Sequence, residues 1–363
     1  MRIFVFGSSL TSSYWNGAAT YYRGIYKHLA LLGHKVTFAE PDIYDRQKHR
    51  DAEAIGYART IVYRPGNLTP LLTEAALADL VIKHSGVGAD DEPLERGVLT
   101  CRSEHTRVVF WDVDAPATLA RVEANPGDPF RPLIPQYDFI LTYGGGPPVE
   151  MHYRRLGARN CHPIYNGLDP ETHYPVSRDP ALVCDLVFVG HRLPDREQRV
   201  EQFFLRAAEL APEMRFRLGG EGWAGKRLPG NVRWIGHVAT ADHNRVNASA
   251  RMVLNLNRDS MAAVGFSPPT RVFEAAGAGA CLITDEWTGI DAFFNPGSEI
   301  LVAASAEEIV DWLRTIGPRQ SFRIGAAMRQ RALHEHTYAQ RAAQVDRIVR
   351  APATAQAVEK VAV

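Results

Sequence analysis

The sequence predicts an α/β protein of two domains, each a parallel β-sheet layered with helices. Three observations point there. The chain has 363 residues, room for two domains at a prior of roughly 150 residues each. Short β-rich runs alternate with helical patterns through the first half of the chain. A segment rich in Pro, Asn, Gly and Asp then interrupts the alternation, after which it starts again.

In chain order, "RIFVFG", "HKVTFAE", "TIVYR", "DLVIKHS", "RVVFWDVD" and "DFILTYGGG" read as buried strands of the first domain. Between the first two lies "NGAATYYRGIYKHLALLG", with apolar residues at helical spacing and Gly33 as its stop. The interrupting segment is "HPIYNGLDPETHYPVSRDPAL". Beyond it, "CDLVFVG", "MRFRLGG", "NVRWIGHV", "RMVLNLN" and "ACLITDE" are strands. Helices are expected at "PDREQRVEQFFLRAAELA", "TRVFEAAGAG", "AEEIVDWLRTI" and "TYAQRAAQVDRIV". The expected boundaries are a first domain over 1–165, a linker over 166–180 and a second domain over 181–335. A C-terminal helix over 336–350 packs back toward the first domain, and 351–363 is a tail.

Composition excludes several classes. Apolar residues make up 45% and charged residues 23% of the chain, ordinary for a globular protein. Lys plus Arg and Asp plus Glu both number 41, so no basic excess points to nucleic acid. The four cysteines form no C-x-x-C pair, which argues against a zinc ribbon or disulfide scaffold and fits a reducing compartment. No stretch reaches the ~20 apolar residues of a membrane span, and "IFVF" is too short for a signal peptide. A cytoplasmic location is expected. A G-x-G-x-x-G fingerprint for a dinucleotide is missing after the first strand, which excludes an NAD-dependent oxidoreductase.

Ligands of open α/β sheets bind beyond the carboxyl ends of the strands, so candidate residues are sought there. In "FWDVDAP", Asp112 and Asp114 are two apart and share a strand face. One is a candidate general base, and Asp114 is equally placed to cap the following helix. His84 ends another strand. Gly144 and Gly145 precede a helix opened by prolines, where backbone N–H groups can face a ligand oxygen. The pair His334 and His336 does not share a helical face, so no metal site is read there.

"SPPTRVFEAAGAGACLITDE" is the most informative stretch. It resembles the donor-site region of GT-B fold glycosyltransferases, in which a Glu before A-x-x-x-G holds ribose hydroxyls of a nucleotide sugar. "YNGLDPETHYP", "DLVFVGHRLPDRE", "GNVRWIGHV" and "FNPGSEILVAASAEEIVDWL" match further stretches of that fold in order. The wording is closest to the spore-maturation-protein-like group, through "RVFEAAGAGACLITD" and "HEHTYAQR". The resemblance implies two Rossmann-like parallel-sheet domains facing a central cleft. It implies metal-independent transfer of a sugar from a UDP-, GDP- or dTDP-sugar to an unidentified hydroxyl or amine acceptor, with no other cofactor.

Carried onto this chain, it assigns Glu274 to the ribose, with Arg192 and Arg196 against the diphosphate. Thr270 and Arg271, with Gly190, Gly219 and Gly236 at strand ends, complete the donor set. His84 would contact the donor sugar. In the loop "SSLTSSYWNGAAT", Asn16 caps the helix and Gly17 frees its start, while Tyr14 and Trp15 are placed to stack on a sugar. This loop is assigned to the acceptor or the transferred sugar. One departure is plain. Many retaining members carry a first Glu eight residues before the ribose-binding one, and Phe266 stands there, which leaves the stereochemical outcome open. A sugar-nucleotide epimerase of the same fold and a non-catalytic envelope or spore protein are the competing readings.

Overall fold

The computed structural model of the chain describes residues 1–14, 16–52 and 55–351. They fall into two units, one of Met1–Asn166 with the segment from Tyr338 onward, the other of Gly167–Thr337. Trp15 and residues 352–363 lie outside the described residues.

The first unit holds seven strands: β1 (Arg2–Phe6), β2 (Lys35–Pro41), β3 (Ala58–Tyr63), β4 (Leu80–His84), β5 (Arg107–Asp112), β6 (Phe139–Thr142) and β7 (Cys161–Pro163). They lie in the order β3-β2-β1-β4-β5-β6-β7, every pairing parallel. Parallel neighbours need crossovers, and helices supply them. These are α1 (Ala19–Leu31), α2 (Thr69–Ala75), α3 (Asp91–Gly97), α4 (Ala115–Ala124) and α5 (Gly146–Arg155). Strand β7 lies at the end of the expected first domain, just before the 166–180 linker, and no strand was read there. It is three residues long and ends on a proline, which an edge strand tolerates.

The opening loop is pinned from within. Glu40, buried near the end of β2, accepts hydrogen bonds from Ser9 Oγ at 3.0 Å, Leu10 N at 2.6 Å and both N and Oγ1 of Thr11 at 3.2 and 2.5 Å. Asn16 does not cap α1. Ser8 Oγ donates to its Oδ1, and its Nδ2 donates to the carbonyls of Ser9 and Ser12, while Ala18 takes the N-cap position. Gly17 borders open space, so a side chain there would meet nothing. Tyr14 stacks on His49, ring centroids 4.0 Å apart.

The second unit has six strands: β8 (Cys184–Val189), β9 (Phe216–Gly219), β10 (Val232–Trp234), β11 (Ala250–Asn255), β12 (Leu282–Asp285) and β13 (Leu301–Ala303). Their order is β10-β9-β8-β11-β12-β13, again all parallel. Its helices are α6 (Pro194–Arg199), α7 (Arg206–Leu210), α8 (Thr240–Ser249), α9 (Asp259–Val264), α10 (Thr270–Ala278), α11 (Ala306–Thr315) and α12 (Pro318–Glu335). A π turn over Val200–Leu205 joins α6 to α7 without a break.

In both sheets the chain winds outward in two directions from a central pair, β1 and β4 in one, β8 and β11 in the other. That pair is the switch point at which such folds bind ligands. Each unit has its own core: Val5, Ile25, Phe38 and Trp111 belong to the first, Phe188, Phe204, Leu254 and Ile283 to the second. The closing helix α13 (Tyr338–Arg350) belongs to the first unit, where it lies on α1. Gly24 makes that approach possible, since a Cβ there would stand 2.3 Å from the Tyr338 ring.

Candidate functional site

The second unit's switch point carries the densest chemistry. Arg271, in the first turn of α10, spans it. Its Nε donates to the Val189 carbonyl at the end of β8 at 2.6 Å, and its Nη1 donates to Asn255 Oδ1 at the end of β11 at 3.0 Å. Arg196 of α6 reaches the same point, its Nη2 donating to the His191 carbonyl at 2.6 Å. Both guanidinium groups lie over the Phe188 ring, their Cζ atoms 5.7 Å (Arg196) and 5.2 Å (Arg271) from its centroid. They converge on Gly190. A Cβ there would stand 2.9 Å from Arg196 Nη2 and 3.1 Å from Arg271 Nη2. A side chain there would have to displace one or both guanidinium ends.

Arg196 is 9% exposed, its Nε has no hydrogen-bond partner, and it forms no ion pair among the described residues. Burial, followed by the charge of Arg271, pushes its pKa down to about 9. Two cations held together in a half-dry place constitute a stored demand for an anion.

The glycines extend this platform. Gly190 N donates to the Gly219 carbonyl at 2.9 Å, and Gly220 N to the Gly236 carbonyl at 2.7 Å. Gly220 has φ 114°, and a Cβ on it would meet the Gly190 carbonyl oxygen at 2.3 Å. Arg192, paired with Arg196 in the sequence reading, is turned elsewhere. Its Nη2 binds Glu197 Oε1 at 2.7 Å, and Lys226 Nζ meets the same carboxylate oxygen at 2.7 Å. The convergent pair is therefore Arg196 with Arg271. Thr270 is the first residue of α10, and Pro269 holds the N-cap position.

Glu274 lies one turn along α10 from Arg271. Its Oε2 is 3.4 Å from His243 Nδ1 on α8, an ion-pair distance rather than a hydrogen bond. Burial alone would raise the carboxyl, but His243, then His173 and Arg271, outweigh it and hold the pKa down at about 2. His173 is 2% exposed with neither ring nitrogen hydrogen-bonded. The ligand-type atoms of His173, His243 and Glu274 all lie within 4.8 Å of one another. Sequence reasoning missed His173 and His243, since each is a lone histidine in a different segment.

At the missing carboxylate position, Phe266 has φ 46°, a left-handed backbone unusual for a bulky residue. Its N–H donates to the Thr288 carbonyl at 2.7 Å. Its ring fills the space beside Gly289, where a Cβ would lie 2.3 Å from it.

In the first unit the expected catalytic residues are mostly interior. Asp112 is 0% exposed and accepts from Ser85 Oγ at 2.7 Å, Tyr153 Oη at 2.5 Å, Asp114 N at 3.0 Å and Thr118 Oγ1 at 3.1 Å. Three donors engage its Oδ1 and one its Oδ2, so it ties three elements together from a fully buried position that a substrate hydroxyl does not reach in this structure. Burial raises its pKa, against the hydrogen bonds. His84 is also fully buried, with Tyr26 Oη 2.5 Å from its Nε2 and Tyr22 and Trp111 packed on its ring. Burial pushes its pKa down to about 3, which keeps the imidazole neutral. The reason is positional: β4 is buried along its whole length, so its last residue faces the core. Asp114 holds the N-cap position of α4 through its carbonyl, which accepts from Ala117 and Thr118 at 3.0 and 3.1 Å, without a side-chain capping bond. Asp114 is half-buried. Gly144 is buried, and Gly145, φ 88°, is the N-cap of α5.

Residues 196–347 match the family described as "Glycosyl transferase-like". No curated protein matches the chain. Sucrose-phosphate synthase from Thermosynechococcus elongatus is similar in structure, with a TM-score of 0.67 at 15% identity, over 96% of this chain and 98% of that one. Anabaena HepE in complex with UDP and glucose gives 0.67 at 14% identity, covering 96% and 99%. An alpha-glucosyltransferase in complex with UDP-glucose and DNA containing an abasic site gives 0.70 at 12% identity, covering 96% and 99%. At these identities the likeness establishes the fold, two Rossmann-like parallel-sheet units of the GT-B kind. No helix among the described residues is long and apolar enough to cross a membrane.

Proposed function

We propose that the chain is a glycosyltransferase that takes its sugar from a nucleoside diphosphate donor bound on the second unit. The observation that carries this reading is the convergence of Arg196 and Arg271 on Gly190 at the β8–β11 switch point. When the glycosidic bond of such a donor breaks, negative charge grows on the departing diphosphate. Preorganised guanidinium forks stabilise that charge without reorganising. The role of a cation at the diphosphate is thereby filled by side chains, so transfer proceeds without a metal there.

Glu274, kept ionised by its neighbours, is suited to accept hydrogen bonds from ribose hydroxyls. The match of residues 196–347 to a glycosyl transferase-like family supports the reaction class, and the likeness to structures bound to UDP or UDP-glucose makes UDP the first donor base to try. The wording of "RVFEAAGAGACLITD" favours the spore-maturation-protein-like group. The acceptor belongs to the first unit in this reading. Of its three expected catalytic residues, only Asp114 keeps solvent access.

A thermal-shift panel of UDP, GDP and dTDP tests the assignment. At least one is expected to raise the melting temperature at concentrations near its Kd or above. No response to any of the three overturns the proposal. Glu274→Ala is expected to weaken the response, and donor turnover is expected to persist in a chelator.

A further inference from the structure

We infer that His173, His243 and Glu274 form a three-ligand site for a divalent transition cation, with Zn2+ the ion that this donor set favours. The three ligand atoms lie within 4.8 Å of one another, and the His243 Nδ1 to Glu274 Oε2 separation is 3.4 Å. Ligands about 2.1 Å from a tetrahedral zinc sit roughly 3.4 Å apart, so one edge of the polyhedron is already formed. Two imidazoles and one carboxylate suit zinc rather than Mg2+ or Ca2+, which take oxygen ligands. Three protein ligands leave the fourth position open.

The site is built rather than accidental. Asn244, next to His243 on α8, clamps the segment that carries His173 on both sides of that residue. Tyr174 N donates to its Oδ1 at 3.3 Å, and its Nδ2 donates to the Thr172 carbonyl at 2.8 Å. Gly277, one turn along α10 from Glu274, lets the same segment close on the helix. A Cβ there would meet both Cβ and the carbonyl oxygen of His173 at 2.7 Å.

The independent observation is His173 itself. It is 98% buried, stacks at a centroid distance of 6.0 Å on His243, and has no hydrogen-bond partner on either ring nitrogen. A buried imidazole with both nitrogens idle is costly unless something fills the gap between it and its neighbours. A cation does so and neutralises the Glu274 charge at once.

The inference shares Glu274 with the nucleotide assignment, its Oε2 being the oxygen turned toward His243, and the test separates the two because it uses the cation alone, with no nucleotide present. The full chain, stripped with a chelator, is titrated with Co2+ and then with Zn2+ in displacement. One equivalent is expected, with visible absorption of low-coordinate Co2+ and without the near-ultraviolet band of thiolate ligation. H243A, whose side chain is 20% exposed, is expected to weaken Zn2+ binding by about tenfold or more, and H334A, on the exposed end of α12, to leave it unchanged. H173A is expected to match H243A, and if it does not fold, the spectrum of the unaltered chain and H243A decide. No stoichiometric uptake, a thiolate band from the four buried cysteines, or wild-type affinity in H243A each overturns the site.

Discussion

Arg196 shows at a single residue how this protein is divided between stability and function. Its guanidinium is buried, lacks a partner at Nε and sits beside a second cation. Because its folded pKa falls to about 9 from 12.5, folding carries an unfavourable charge at every pH below that value. Arg196→Met keeps the length and removes the charge. The ligand-free variant is therefore expected to gain about 1–3 kcal/mol, as other buried charges do when replaced by apolar groups. The same variant is expected to lose most of the melting shift given by UDP. Parallel denaturation curves with and without UDP read both effects, and a variant that is less stable and still responsive would contradict the diphosphate role. His243 and Glu274 make the opposite case. Burial pulls His243 down, but Glu274 outweighs it and raises its pKa above 6.5. The stabilisation from His243 is thus complete below pH 6.5 and lost as pH rises through the raised value. That from Glu274 is present above 4.5 and lost as pH falls through about 2. In metal-free protein, an NMR titration is expected to show His243 ionising above the ordinary histidine value. In Glu274→Gln burial and the charge of Arg271 remain to lower it, and the midpoint is expected to drop below the ordinary value.

At the scale of elements, close approach rather than propensity fixes the geometry. α10 brings Arg271, Glu274 and Gly277 to successive turns, and each meets a different part of the fold. Gly277→Ala would push a Cβ to 2.5 Å from Leu168 Cδ1 and 2.7 Å from the His173 carbonyl oxygen. Backbone cannot yield as a flexible side chain can, so a loss of about 1–3 kcal/mol is expected despite alanine's better helix propensity. Urea denaturation measures it, and a neutral or stabilising outcome would show that the 167–173 segment is free to move away. Elements of this kind mark what the sequence makes legible. Long apolar runs such as those of β1, β4, β5 and β8 announce parallel strands, and Pro194 and Gly33 punctuate their helices, whereas α12, which opens at Pro318, was not read. β7 was hidden because three residues with a proline carry no periodic signal. A motif drew attention to Glu274 and Arg196, both of which the proposed function places at the donor. The partnership of Arg196 with Arg271 was not legible, since it depends on the missing side chain of Gly190. Asp112 and His84 misled for a related reason: their place at strand ends was read correctly, but the depth of those ends within the sheet is set by packing.

At the scale of the whole molecule, the order of the chain decides which unit can stand alone. The first unit is discontinuous. It takes Met1–Asn166 and then recovers α13, with Tyr338 and Val345 buried in its core beside Tyr21 and Ile25. The Arg341 side chain donates to the Asn166 carbonyl at 3.2 Å, closing the unit at the point where the chain leaves it. The second unit, Gly167–Thr337, is continuous, with a complete six-stranded sheet and a core of its own. All the residues proposed for the donor lie within it. Truncation after Thr337 is therefore expected to uncover the α1 face and unfold the first unit, since it removes several large buried side chains at about 2–5 kcal/mol each. The second unit is expected to keep its fold. Calorimetry of the truncated chain should then show a transition that UDP still raises, with the higher-order cooperativity of the intact protein gone. The segment 167–337 expressed alone is expected to bind UDP with an affinity within about tenfold of the full chain. A single transition lost as a whole on truncation, or a 167–337 segment that folds yet ignores UDP, would show that the donor site needs residues of the first unit and would move the search for its missing contacts there.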